Sequence, residues 1–203
     1  MQPRREFLQT AASFLLSALA VPAWADDGEA TGTSVPPSSS NDLSVPPSQV
    51  GGLPETVRSL AFDNLHTGEK LKLDYWLNGD YVPDALARIN HLLRDFRNGE
   101  VHAIDPRLLD LLSVLHGKLG SAQPFQVISG YRSPATNAML FAETSGVNPK
   151  SLHMSGMAID ICLTDRALSQ LRDAARALNA GGVGFYPRFV HVDIGPLQYW
   201  TGA

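Results

Sequence analysis

Two short apolar runs in this chain each carry charge at positions where a buried strand normally has none. The first is Met157-Ala158-Ile159-Asp160-Ile161-Cys162-Leu163. Side chains of a strand alternate between its two faces, so Met157, Ile159, Ile161 and Leu163 make one bulky face and Ala158, Asp160 and Cys162 the other. A carboxylate in the middle of such a strand is costly unless a charge or hydrogen bonds compensate it, and its two small neighbours leave room for a ligand. The second run is Phe189-Val190-His191-Val192-Asp193-Ile194. Val190, Val192 and Ile194 face the core, while His191 and Asp193 share the opposite face with Phe189. A fold that accepts this chain must bury both strands and give their polar groups something to bind.

A third polar group lies just upstream, in Ser151-Leu152-His153-Met154-Ser155-Gly156. Ser155-Gly156 is a natural turn, and it can bring His153 back over Asp160. With the two strands as neighbours, His153, Asp160 and His191 converge. Three nitrogen and oxygen ligands with a fourth position open describe a catalytic zinc site. Hard ions such as magnesium prefer all-oxygen shells, so two histidines point to zinc or a similar transition metal. The single cysteine, Cys162, excludes both an internal disulfide framework and a four-cysteine metal site. One histidine on a strand is more often a satisfied core or surface residue than a ligand, so the argument rests on the three together. A further segment, Ser129-Gly130-Tyr131-Arg132-Ser133-Pro134, joins a strand end to a helix start. Arg132 there suits recognition of a carboxylate or carbonyl by its forked donors, or a plain salt bridge.

The rest of the chain frames these segments. Arg4-Arg5-Glu6-Phe7-Leu8, an apolar run from Ala11 to Val21 and Ala23-Trp24-Ala25 resemble a twin-arginine (Tat) export signal over residues 1–25. The apolar run, about 11 residues, is too short to span a membrane as a mature helix. Residues 26–52 are rich in Pro and Ser and read as a linker, which leaves 53–203 as the folded domain. Within it, strands are expected over Arg58–Asn64 and Lys70–Trp76, joined as a hairpin, then Phe125–Ser129, Met157–Leu163, Val183–Tyr186 and Phe189–Ile194. Helices are expected over Asp84–Arg97, from Asp105-Pro106 onward with a stripe of Leu108, Leu111, Leu112 and Leu115, from Ser133-Pro134 to about Thr144, and from Thr164 to Asn179. This order predicts an α+β fold: a small, mostly antiparallel sheet carrying the zinc site, packed against several helices. The net charge of −4 on 203 residues supplies no basic field for nucleic acid.

The motifs Ser129-Gly130-Tyr131-Arg132-Ser133, then Ser151, His153, Gly156, Ala158 and Asp160, then His191-x-Asp193-x-Gly195 together resemble the zinc D-Ala-D-Ala peptidases of the LAS group. That group includes D,D-carboxypeptidases, vancomycin-resistance dipeptidases and phage endolysins. The likeness is greatest to the MepK (YcbK-like) murein endopeptidases and runs from the Arg58 region to Trp200. It implies a hedgehog/D-Ala-D-Ala peptidase-like fold and one zinc ion per chain, on His153, Asp160 and His191. It implies that Arg132 holds the substrate near the metal and that Ser151 contacts substrate or supports the metal shell; Tyr131 beside Arg132 is counted as substrate-binding, lining the groove, with core or cover as its other reading. The dipeptidase branch places a glutamate base three residues before its last histidine ligand. Here that residue is Arg188, and the nearest substitute is Asp193, which is expected either to serve as general base or to orient a histidine from behind.

Of the other histidines, His91 and His116 fall on helices, His102 in a loop, and His66 near the hairpin turn is the one placed for a site role. Cys162 reads as a small residue beside the site. Asn137, Tyr186 and Trp200 could face the cleft or belong to the core. The expected activity is zinc-dependent hydrolysis of peptide cross-links in murein stem peptides, by an exported periplasmic monomer with no stable membrane span after signal cleavage. The alternatives are a D-alanyl carboxypeptidase and, from another class, a non-catalytic zinc-containing wall-binding module like the hedgehog-type relatives.

Overall fold

The chain enters the fold on a hairpin. In the computed structural model, which describes residues 56–143 and 147–202, β1 (Val57–Asn64) and β2 (Lys70–Leu77) pair antiparallel. Asn64 holds the turn, its side-chain oxygen accepting from the amides of His66 and Thr67 at 3.0 and 3.2 Å. The expected export signal, the linker, the first residues of the expected domain and the far end of the helix reaching Thr144 lie outside the described residues.

A two-residue strand, β3 (Asp80–Tyr81), leads into helix α1 (Pro83–Leu92), which starts on a proline whose missing amide proton costs nothing there. The helix is shorter than its apolar periodicity predicts. Leu93 caps it, and Asp95 is pulled aside: its carboxylate accepts from the amides of Arg97 and Ser133 at 3.0 and 2.9 Å, and its own amide donates to the Glu100 carbonyl. Helix α2 (Pro106–Leu119) begins as expected, with the Asp105 carboxylate accepting from the Arg107 amide. Its buried stripe is Leu108, Leu109, Leu112 and Leu115, with Leu111 only partly covered.

Strand β4 (Phe125–Ser129), helix α3 (Pro134–Glu143), a single 3-10 turn (Leu152–Ser155) and β5 (Ala158–Cys162) follow. Helix α4 (Leu168–Arg176) starts later than Thr164. The intervening residues are held as a connector: Arg166 donates to the carbonyls of Leu119 and Gly120, and Ser121 donates to Asp165. Strands β6 (Val183–Phe185), β7 (Val190–Asp193) and β8 (Tyr199–Thr201) close the chain.

The class α+β is as expected; the sheet is not. It is a mixed sheet of eight described strands in the order β3-β2-β1-β4-β5-β7-β6-β8. The β1–β4 and β6–β8 pairings are parallel. The first is parallel because the chain returns to β1 through two helices rather than a tight turn, and parallel neighbours require such a crossover. The short last strand, unmarked by any alternation in sequence, adds the second. Leu108, Leu112 and Leu115 from α2 and Ile89 from α1 share one core with Phe62, Phe125, Ile159 and Ile161 of the sheet. Each such fully buried side chain contributes about 1.5–3 kcal/mol. That core fixes β4, β5 and β7 as neighbours, and the functional residues cluster around these strands.

Candidate metal centre

Asp160 and His191 lie opposite one another in the antiparallel β5–β7 pair. Their side chains meet, with Asp160 Oδ1 2.8 Å from His191 Nδ1. His153 arrives from above on the 3-10 turn. Ser151 caps that turn, its hydroxyl accepting from the His153 amide at 3.4 Å, and Gly156 ends it at φ +65°. A Cβ at Gly156 would lie 2.2 Å from the Ala103 carbonyl oxygen, so this turn needs glycine for both its backbone and its space. The segment after β4 grips the same turn twice. The Gly130 carbonyl lies 2.7 Å from His153 Nδ1, and the Arg132 amide donates to the His153 carbonyl. His153 Nε2 then stands 3.3 Å from Asp160 Oδ1 and 3.2 Å from His191 Nδ1.

The proton inventory decides what this cluster holds. A carbonyl can only accept, so His153 carries its proton on Nδ1 and presents a lone pair at Nε2. His191 Nε2 lies 3.1 Å from Asp193 Oδ2, which places one ring proton there; Nδ1 faces the Asp160 carboxylate and holds a second proton against it or, once that proton leaves, offers a lone pair. With that proton gone, two bare nitrogens and a carboxylate oxygen face one another, and a cation at their centre offsets the repulsion. All three candidate ligand atoms lie within 4.8 Å of one another, and the residues fit a transition metal bound by two imidazoles and one carboxylate.

The electrostatics agree. Burial drives the His153 pKa down, towards the neutral ring that a ligand needs. Burial works against charge on His191 as well, but hydrogen bonds to Asp160 and Asp193 outweigh it and raise the group to about 9. Burial would push Asp160 up; the neighbouring histidines overcome it and hold the carboxyl well below the usual carboxylate range. Asp160 is therefore ionised, and in the metal-free protein the site keeps a proton in the cation's place.

The other expected site residues fall in different positions. Arg132 forms a salt bridge, but to the buried Asp160: Nη2 donates to Oδ2 at 2.7 Å and Nε to the Ser129 hydroxyl at 3.0 Å. Its Nη1 has no acceptor among the described residues, and Arg132 borders the cleft. Ser151 also borders the cleft. Tyr131 does not: its ring is buried and stacks on His102, and its hydroxyl donates to Glu100 at 2.6 Å, so the expectation of a substrate contact there is corrected. Asp193 lies behind His191, its Oδ1 accepting from the amides of Gly182 and Gly195 at 2.9 and 2.8 Å. His66 stacks on Phe96, and the Cys162 thiol meets Gln126; neither borders the cleft. Asn137 is buried, its side-chain amide donating to the Asn148 carbonyl.

The cleft measures about 390 Å³ and, beyond the candidate metal residues, Arg132 and Ser151, is walled by Asp193, Val147, Asn148, Lys150, Leu152, Tyr186, Phe189, Gln198 and Trp200. Lys150, Asn148 and Gln198 carried no signal in the sequence. Polar residues in a loop look alike whether they line a groove or face open water.

Residues 53–200 match the family model described as Peptidoglycan L,D-endopeptidase MepK. The Peptidoglycan L,D-endopeptidase MepK of Escherichia coli (strain K12) is 47% identical over 145 residues, covering 70% of this chain and 80% of that protein. The Probable peptidoglycan L,D-endopeptidase MepK of Haemophilus influenzae is 38% identical over 149 residues, covering 72% and 80%. With the family model spanning almost all of the described fold, metal cluster included, the chain belongs to the MepK peptidase family.

Proposed function

We infer that this protein is a metal-dependent peptidoglycan endopeptidase that hydrolyses peptide cross-links between glycan strands, at bonds between an L- and a D-centre as the names of its relatives state. The observation that carries the metal dependence is the convergence of His153 Nε2, Asp160 Oδ1 and His191 Nδ1, with the far ring nitrogens of the two histidines held by the Gly130 carbonyl and the Asp193 carboxylate. Zinc is the ion we propose, one per chain. When bound, it polarises the scissile carbonyl and makes water a nucleophile near neutral pH.

The chain's own residues prepare that chemistry. Gly130 and Asp193 fix the tautomers of His153 and His191. Arg132 holds the second oxygen of Asp160 by its salt bridge, while Nη1 remains for a substrate carbonyl or carboxylate. Ser151 shapes the turn that delivers His153. Between the two roles open to Asp193, proton acceptor and orienting partner of His191, the hydrogen-bond pattern favours the second. Each oxygen already has a donor within the fold, and the imidazole stands between this carboxylate and the cluster's centre.

We further propose that residues 1–25 direct export by the Tat route and that 26–52 tether or space the domain in the periplasm. No described helix is long and apolar enough to cross a membrane.

The test is a digest of purified peptidoglycan with the mature domain, with and without chelator, read by mass spectrometry beside His153→Ala. Conversion of cross-linked dimers to monomers, dependent on metal and on His153, is the expected result. Loss of a terminal alanine alone indicates a carboxypeptidase. A metal-loaded protein that cuts nothing is a wall-binding module.

A further inference from the structure

Tyr186 is held more firmly than a residue at a cleft edge needs to be. Its ring stacks on Phe189 with centroids 4.5 Å apart. The other flank lies against Gly202, where a Cβ would fall 1.9 Å from the ring. The Trp200 indole Nε1 donates to the Tyr186 hydroxyl at 3.0 Å. The tryptophan is itself placed against His191, ring centroids 5.2 Å apart, and packs so closely on Gly184 that a Cβ there would lie 2.6 Å from the indole. Gly184 pairs with His191 on one side and Trp200 on the other. Two restraints thus hold the ring and a third, the indole N–H, holds its oxygen, at the wall of the cleft that the candidate metal residues line.

The indole N–H can only donate, so the Tyr186 oxygen accepts. Its own proton then points elsewhere, and among the described residues nothing receives it. Tyr186 follows β6 and is linked to His191 through the Trp200 indole, while Arg132 follows β4 and is bound to Asp160. Both residues border the one cleft that the candidate metal residues also line.

We propose that Tyr186 is a further catalytic residue: its hydroxyl donates a hydrogen bond to the oxygen of the scissile carbonyl as negative charge develops there. This rests on the peptidase reading above. The tyrosine keeps its proton throughout. Water adds to the carbonyl carbon, the carbon–nitrogen bond breaks, and the proton lost by the water ends on the leaving amine. A donor fixed before the reaction stabilises the developing charge without reorganising, which is where such groups act most strongly. Trp200 is the positioning residue, because its indole dictates which way the phenol proton points.

The experiment compares wild type, Tyr186→Phe and Trp200→Phe, each with its metal content and melting temperature measured. Turnover is read on a defined cross-linked muropeptide, and binding of a phosphinate analogue of the scissile bond by calorimetry. Tyr186→Phe keeps the stacked ring and is expected to lower kcat on the order of 100-fold, with KM and metal content unchanged and phosphinate affinity falling in parallel. Trp200→Phe is expected to lower kcat by less, since the hydroxyl stays but is no longer aimed. A Tyr186→Phe enzyme with kcat within twofold of wild type, a change confined to KM, or unaltered phosphinate affinity overturns the proposal. A metal-loaded wild type that leaves the muropeptide uncut overturns the peptidase reading and this assignment with it, an outcome distinct from a change in the variants alone.

Discussion

Asp160 and His191 occupy facing positions of two antiparallel strands, and the sheet's own register brings their ligand atoms to 2.8 Å. Two of the three candidate metal ligands are thus brought together by backbone pairing. The third, from His153, depends on a turn that must be held in place from the segment after β4.

Removing that third contact separates metal binding from folding. His153→Ala is expected to lose the metal and all measurable turnover while the β5–β7 pair persists. Metal analysis and circular dichroism on the same sample check this, and chelation of wild type reproduces the loss. A His153→Ala protein that retains one tightly bound ion and full activity sinks the ligand assignment.

Asp193 offers a test that tells its two roles apart. As the orienting carboxylate of His191, Asp193→Ala lowers metal affinity by about 10- to 100-fold, and saturating zinc restores much of the turnover. Competition titration against a chromophoric chelator measures the first and a zinc series the second. Wild-type affinity combined with a turnover loss of more than about 100-fold identifies Asp193 instead as the proton acceptor.

The raised pKa of His191 gives the metal-free protein a signature in pH. The metal needs the bare nitrogen, so its apparent affinity is expected to climb by up to roughly tenfold per pH unit and level off above about 9. The stability of the metal-free fold runs the other way. A group raised in the folded state contributes fully below its unfolded value near 6.5 and loses that contribution as pH rises through about 9. The metal-free melting temperature therefore falls between pH 6.5 and 9. Zinc replaces the proton, and the loaded protein lacks this fall. Parallel melting curves for the two forms are the measurement; coincident pH dependence sinks the idea.

Asp95 lies outside the cleft but anchors it. Its buried carboxylate accepts from the Ser133 amide, one residue after Arg132. Asp95→Ala leaves that amide without a partner, at about 1–3 kcal/mol, and lets the Arg132 segment drift. Urea denaturation is expected to show the loss, and KM to rise with it. Unchanged stability means that water replaces the carboxylate without cost.

The convergence of the candidate ligands is legible in sequence because its signal is local contrast: a charged residue in an apolar alternation stands out one strand at a time. Asp160 and His191 were found that way, and the glycine after Ser155 marked the turn that delivers His153. The role of Asp193 stayed divided because two residues on one strand face share a side without revealing which nitrogen they serve. Tyr131 was misplaced for a related reason. It adjoins Arg132 in a motif, yet successive side chains after a strand end point in different directions, and this one turns inward to Glu100. The parallel β1–β4 and β6–β8 pairings were hidden because pairing partners far apart in sequence leave no periodic trace in either strand. Helix α1 ended early because Asp95 bonds with residues that the sequence separates from it by as many as 38 positions.

The three candidate ligands come from a turn, a middle strand and a strand that pairs only after α4 has crossed over. The last is 38 residues downstream of the first. No shorter stretch of the chain brings the three together, so for the ion proposed above the expected order is pairing of β5 with β7 first and capture afterwards, and metal content would then report on completed folding.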